Sequence, residues 1–206
     1  MSARPRPRWL LDAERVDHAV YGAIAATPTP ALDRGMNRLS HAADRSVLWV
    51  AAALAMVLAR GPQGREAASA GLASLAVSSV VVNLVGKPLA RRRRPDRLAV
   101  GVPVARHVPM PTSRSLPSGH SASAFAFATG VGHVLPREGA ALRVLAALVA
   151  YSRVHTGVHF PADAVAGALI GTVCSQATTR AIDRHAGLVP GAAVRQCGPP
   201  RSCSRT

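Results

Sequence analysis

The chain is organised by apolar runs that Gly, Pro and clusters of charge break apart. Five such runs occupy residues 46–59, 67–86, 115–136, 140–151 and 164–179, and only the fourth carries a charged residue, Arg143. Turn-forming residues punctuate the gaps between them. A helix crosses the hydrocarbon core of a bilayer in about 20 residues. The second and third runs approach that length alone. The others borrow flanking residues, helped by snorkelling Arg and local thinning of the bilayer. The pattern predicts an all-α fold, a membrane helical bundle of about five spans.

Upstream, residues 9–26 set Leu10, Leu11, Val16, Ala19, Val20 and Ile24 among Asp12, Glu14, Arg15 and Asp17 at helical spacing. That is the mark of an amphipathic helix lying on the membrane or on the bundle. Residues 1–8 alternate Arg and Pro, which opposes helix and predicts a flexible basic arm. No apolar run follows directly, so the arm does not read as a signal peptide. Residues 187–206 are rich in Gly, Pro, Arg and Ser and read as a disordered basic tail. Between the two, residues 9–186 form one helical domain.

Composition supports lipid as the solvent of this domain. Hydrophobic residues make up 49% and aromatics only 3%, so the apolar content is small and aliphatic, which suits helices packed closely in a membrane. The net charge of +15 fits nucleic acid, anionic lipid headgroups or phosphate-bearing substrates equally well. Its distribution is more informative. The basic residues gather at the N-terminus, at 91–97 and after Arg180 instead of along a solvated stripe, but charge alone does not choose among these partners. Cys174, Cys197 and Cys203 make no disulfide framework or metal-ligand spacing. Cys174 reads as a small core residue.

Three stretches hold the residue types a phosphate requires. They are Lys87-Pro-Leu-Ala-Arg91-Arg92-Arg93-Arg94-Pro95 after the second run, Pro117-Ser118-Gly119-His120 at the start of the third, and Ser152-Arg153-Val-His155-Thr-Gly-Val-His159-Phe-Pro161-Ala-Asp163 between the fourth and fifth. Up-and-down connection of five runs brings all three to one membrane face. A phosphate dianion is met by Arg in bidentate fashion and by Lys as a point charge. Ser118 and Gly119 precede a helix whose positive end, with their hydroxyl and N–H groups, can cradle phosphate oxygens. Pro161 suits the first turn of the last helix, which sets His159 at its entry and Asp163 four residues on. The carboxylate can hold one imidazole nitrogen and leave the other free to attack phosphorus, while His120 protonates the leaving oxygen.

The stretches resemble the three signature motifs of the type 2 phosphatidic acid phosphatase and vanadium haloperoxidase superfamily: Lys, six residues, Arg-Pro; Pro-Ser-Gly-His; and Ser-Arg, five residues, His, three residues, Asp. All three occur in order between Lys87 and Asp163. The resemblance implies that Lys87, Arg94, Ser118, Gly119 and Arg153 bind phosphate, that His120 is the general acid, that His159 forms a phosphohistidine and that Asp163 orients it. It also implies catalysis without a metal or other cofactor, at an extracytoplasmic face of a multi-pass protein of the cell membrane, with membrane lipids and a phosphorylated lipid as partners and no nucleic acid. The stretch 33–49 and the Leu116-Pro-Ser-Gly-His form of the second motif are most similar to small undecaprenyl-diphosphatase-like members. Polyprenyl diphosphate, phosphatidic acid, phosphatidylglycerol phosphate and a polyprenyl-phosphosugar phosphate all stay open as substrates.

Plainer readings compete with each motif. A Ser-Gly before a helix is commonly a cap, and a lone His in an apolar segment is commonly a satisfied core residue, but three matching stretches on one face outweigh both. His155 and His159 have the spacing of a metal pair on a helix, yet Gly157 and Pro161 interrupt it and no Glu or Cys ligand is near. His155 is therefore expected to line the pocket, and Arg91, Arg92 and Arg93 to form a headgroup-facing cluster. His18, His41, His107, His133 and His185 fit no site pattern. The alternatives are a vanadate-dependent haloperoxidase sharing the same residues, and a non-catalytic basic membrane protein that binds anionic lipid.

Overall fold

Pro in the first turn opens four of the helices, Asp and Ser caps open two more, and glycine sets the sharpest reversal. The computed structural model describes residues 7–90 and 92–188. Its long helices are α1 (Arg8–Ala26), α2 (Pro30–Ala42), α3 (Val47–Val81), α6 (Gly119–Val134), α7 (Pro136–His155) and α8 (Pro161–Leu188), with two short turns between, α4 (Lys87–Leu89) and α5 (Arg97–Val100). No strand occurs among the described residues. The arm at residues 1–6 and the tail at 189–206 lie outside them, as do Arg91, Cys197 and Cys203. The helices themselves take in Arg8 and run to Leu188.

The first two apolar runs join in α3, which reverses at Gly61 (φ 54°, ψ −124°) ahead of Pro62. A β-carbon on Gly64 would lie 2.0 Å from the Met56 carbonyl oxygen. Trp49 from one arm packs on Phe127, and Gly71 from the other arm faces the same ring. The arms are therefore antiparallel and clasp α6 between them. By length and composition, Asp44–Leu89 is the one stretch among the described residues apolar and long enough to cross a membrane. α6, with 16 residues, is shorter than the roughly 20 a span needs.

Small residues let α6 sit at the centre. A β-carbon on Gly130 would meet the Ala70 carbonyl oxygen at 2.6 Å, and one on Gly171 would meet that of Ala122 at 2.2 Å. Ala67, Ala68, Ala124, Ala128 and Ala146 fill the remaining core around Trp49 and Phe127. The low aromatic content thus reflects backbones in near contact, where larger side chains would force the helices apart.

α1 buries a narrow face made of Tyr21, Ala25 and Asp17, with Ile24 packed beside it, while Asp12, Glu14 and Arg15 stay exposed. Asp17, Tyr21 and Ala25 are buried, whereas Trp9, Val16 and Val20 are exposed. The apolar residues of its first half and Val20 face away from the bundle, and its one buried carboxylate, Asp17, reaches the site.

Candidate active site

α7 ends at His155, and the chain turns through Gly157 (φ 73°), where a β-carbon would strike the Arg97 side chain at 2.8 Å. The turn is held by Val158 and His159, whose N–H groups both donate to the Arg153 carbonyl, at 3.1 and 3.2 Å. It delivers the His159 ring to a buried position. Nδ1 faces Asp163 Oδ2 at 3.5 Å and Ser115 Oγ at 3.5 Å, and Nε2 faces Arg94 Nη1 at 3.2 Å. A guanidinium only donates, so Nε2 carries the lone pair and Nδ1 the proton. Burial pushes His159 down to about 4, with the charges of Arg94 and Arg153 acting the same way against the partly offsetting Asp163. The imidazole is neutral and the tautomer is set.

Asp163 is itself tightly held. Ser115 Oγ and the Phe160 N–H (3.0 Å) donate to Oδ2, and Arg92 Nη1 donates to Oδ1 at 3.1 Å. Arg92 also reaches Asp17 Oδ2 at 2.5 Å and stacks 4.1 Å above the Phe160 ring, while Asp17 Oδ1 accepts the Ala162 N–H at 2.8 Å. Arg94 is anchored by the carbonyls of Ser113 and Val158, both at 2.8 Å, and burial lowers its pKa.

The other half of the site gathers at the start of α6. His120 Nε2 lies 2.9 Å from Asp44 Oδ1, and Arg153 Nη1 donates to Ser40 Oγ and lies 3.8 Å from Asp44 Oδ1. Arg153 Nε is buried with no partner among the described residues. Lys87 Nζ donates to Asn83 Oδ1 at 2.8 Å and comes within 3.9 Å of where a β-carbon on Gly119 would stand. Lys87, Gly119, His120 and Arg45 line a cavity of about 170 Å³. A second of about 600 Å³ lies along His41, Asp44, Arg45, His120 and Arg153.

All eight residues singled out in the sequence fall in these two adjoining clusters, with three corrections to their surroundings. Ser118 is committed within the protein: its N–H donates to the Asp163 carbonyl at 3.0 Å, and its hydroxyl caps α6 by accepting from Ser121 N–H and Oγ. The helix end instead offers the N–H groups of Gly119 and His120, which have no acceptor within the first turn. Arg92 is no headgroup-facing cation, because Asp163 and Asp17 draw it inward; its neighbour Arg93 is exposed. His155 does not line the phosphate pocket. Its Nε2 pairs with Asp33 at 2.9 Å, beside the fully buried Arg106, which also pairs with Asp33. Cys174 is half-buried.

Sequence reasoning missed Asp44, Ser115, Asp17 and His41. The signal for Asp44 was available, since the count of spans that gathers the three motifs also puts the start of the first apolar run on their face.

A sequence profile described as the PAP2 superfamily matches residues 67–186, the stretch that contains all three motifs. The chain belongs to the PAP2 superfamily. Among its PAP2 relatives, the decaprenylphosphoryl-5-phosphoribose phosphatase of Mycobacterium tuberculosis is 32% identical over 166 residues, covering 77% of this chain and 88% of the relative. The crystal structure of Aquifex aeolicus LpxE is similar with a TM-score of 0.66 and 27% identity, covering 80% of this chain and 95% of that one. A transmembrane PAP2 type phosphatidylglycerolphosphate phosphatase from Bacillus subtilis shares the fold, with a TM-score of 0.67 at 22% identity over 84% and 87% of the two chains.

Proposed function

We propose that this PAP2 protein is an integral membrane phosphatase that removes the terminal phosphate of a polyprenyl-linked phosphate without a metal, through a phosphohistidine on His159. The observation that carries the reading is the neutral, buried His159 imidazole, clamped by Asp163 at Nδ1 and presenting the Nε2 lone pair beneath the Arg94 guanidinium. A phosphate drawn between Arg94, Lys87, Arg153 and the N–H groups opening α6 meets that lone pair. Preorganised donors of this kind stabilise the charge of a phosphoryl group in transit.

Chemistry then proceeds by double displacement. Nε2 bonds to phosphorus as the P–O bond to the leaving group breaks, and protonated His120 gives its proton to the departing oxygen. Water, yielding a proton to His120, next cleaves the phosphorus–nitrogen bond. Inorganic phosphate leaves, and both imidazoles return to their starting state. The buried, unpartnered Nε of Arg153 supports an anion as the missing partner, because an uncompensated buried donor is costly.

The polyprenyl assignment rests on the mycobacterial relative, and the membrane setting on the apolar runs and the shared fold. The active face is read as extracytoplasmic, with the paired arms of α3, then α6, α7 and α8 as the five spans. Phosphate release should be measured from the purified protein in detergent, with a metal chelator present, on polyprenyl diphosphate, a polyprenyl-phosphosugar phosphate, phosphatidic acid and phosphatidylglycerol phosphate. The polyprenyl substrates are expected to be hydrolysed fastest. A strict requirement for added divalent metal, or full activity in His159→Ala, overturns the mechanism; preference for a diacylglycerol lipid overturns the substrate class alone.

A further inference from the structure

Asp44 belongs to none of the three motifs, yet it is the one anion that the described residues bring to His120, at 2.9 Å from Nε2. It stands on a turn between α2 and α3 in which the next two residues, Arg45 (φ 52°) and Ser46 (φ 62°), are both left-handed. Neither is glycine or asparagine, and L residues with larger side chains adopt that conformation at a cost. Strain of this kind is sustained where surrounding contacts fix the backbone for a purpose. Here it swings the chain so that the Asp44 carboxylate faces the start of α6, while Arg45 lines the adjoining cavity with Lys87 and His120.

We infer that Asp44 is a positioning residue for His120, the counterpart in the leaving-group half of what Asp163 is for His159. The inference rests on the phosphatase reading above. A carboxylate only accepts, so the contact requires Nε2 to carry a proton, and Nδ1 is left as the nitrogen that exchanges one with the leaving oxygen and then with water. The charges around His120 make the carboxylate necessary. Arg153 from α7, Lys87 from the end of the α3 hairpin, Arg45 on the turn and Arg94 above His159 are all cations, and His41 Nδ1 lies 3.6 Å from the far oxygen of Asp44. Each cation needed to hold phosphate opposes an imidazolium at His120. Asp44 opposes that trend at the one ring that must be protonated when the lipid oxygen departs.

Two substrates separate this role from a structural one. An alkyl lipid phosphate needs a proton on its leaving oxygen, whereas p-nitrophenyl phosphate releases a stabilised phenolate. The parameter to compare is kcat/KM, which reports steps up to departure of the leaving group. Asp44→Asn is expected to lower kcat/KM on the lipid phosphate by about 30-fold, part of the roughly 10²–10⁴-fold that general acid catalysis supplies, because His120 itself remains, and on p-nitrophenyl phosphate by less than about threefold. The alkaline limb of the lipid profile should move to lower pH by about one unit, and Asp44→Glu should recover part of the rate. In a His120→Ala background, Asp44→Ala should cost nothing further, since both residues serve one proton.

Equal losses on the two substrates, or additive losses in the double variant, overturn the inference in favour of a structural role. A fall in KM with kcat unchanged overturns it differently, by showing that the carboxylate merely occupies the place of the substrate phosphate between His120 and Arg153. If His120→Ala alone hydrolyses the lipid phosphate at full rate, the failure lies with the phosphatase mechanism instead. Asp44→Asn preserves shape, and its thermal melt in detergent, compared with the parent, separates misfolding from lost proton transfer.

Discussion

Two histidines share this site, each with a carboxylate, and the two pairs are built in opposite ways. His159 and Asp163 are almost wholly buried, with side-chain exposures of 2% and 0%, and Asp163 is gripped by Arg92, Ser115 and a backbone N–H. His120 and Asp44 are more open, at 23% and 43%, His120 at the start of α6 and Asp44 on a strained turn, with cavities beside them. The contrast follows from the work each pair is proposed to do. A nucleophile must keep one tautomer and one direction through every turnover, so rigid burial serves it. A proton donor must exchange with the leaving oxygen and with water, so it has to remain reachable.

The largest expected effect tests the buried pair directly. His159→Ala should lower kcat by at least about 10⁴-fold, the scale on which removal of a nucleophile acts, and should abolish the acid-labile phosphoenzyme trapped with radiolabelled substrate. A phosphoenzyme that survives this substitution would reassign the nucleophile. Asp163→Asn comes next, with a loss of about 10²–10⁴-fold because the amide can hold the wrong tautomer. Its thermal midpoint should also fall, since Arg92 loses one of its carboxylate partners; breaking a buried pair costs about 3–5 kcal/mol.

Arg92→Ala should act through Asp163. A loss of about 10-fold in kcat with little change in KM is expected, on the scale of a lost supporting contact. A rise in KM with kcat intact would place Arg92 among the phosphate-binding residues.

The smallest effect concerns pH. His159 has an ordinary value near 6.5 and is held at about 4 in the fold. As pH falls between these values the unfolded chain takes up a proton that the folded protein refuses, so stability declines from about 6.5 down to about 4 and is unaffected by this group above 6.5. The full change is on the order of 3 kcal/mol. Melting curves of the parent and His159→Gln should converge in slope above pH 7 and diverge below 6. Identical slopes in the acid range would show that the ring is not kept neutral by burial. Over the same range His159 remains competent to attack, so loss of activity near pH 6 would have to come from another group.

The sequence alone determined the helical organisation and the eight motif residues. Apolar runs and their breaks foretold the hairpin at Gly61, because Gly-Pro cannot continue a helix and this property is local. Motif spacing located His159 and Asp163 for the same reason, since four residues at a helix entry set their separation whatever surrounds them. Tertiary structure decided which charges hold those residues in place. Arg92 looked like its exposed neighbour Arg93 until α1 brought Asp17 alongside, 75 residues away in sequence. His155 could have lined the pocket but was drawn to Asp33, 122 residues away. Asp44 became part of the site only where α2, α6 and α7 meet. Such choices depend on which charges share a buried volume, and pairing across that distance leaves no period or spacing along the chain.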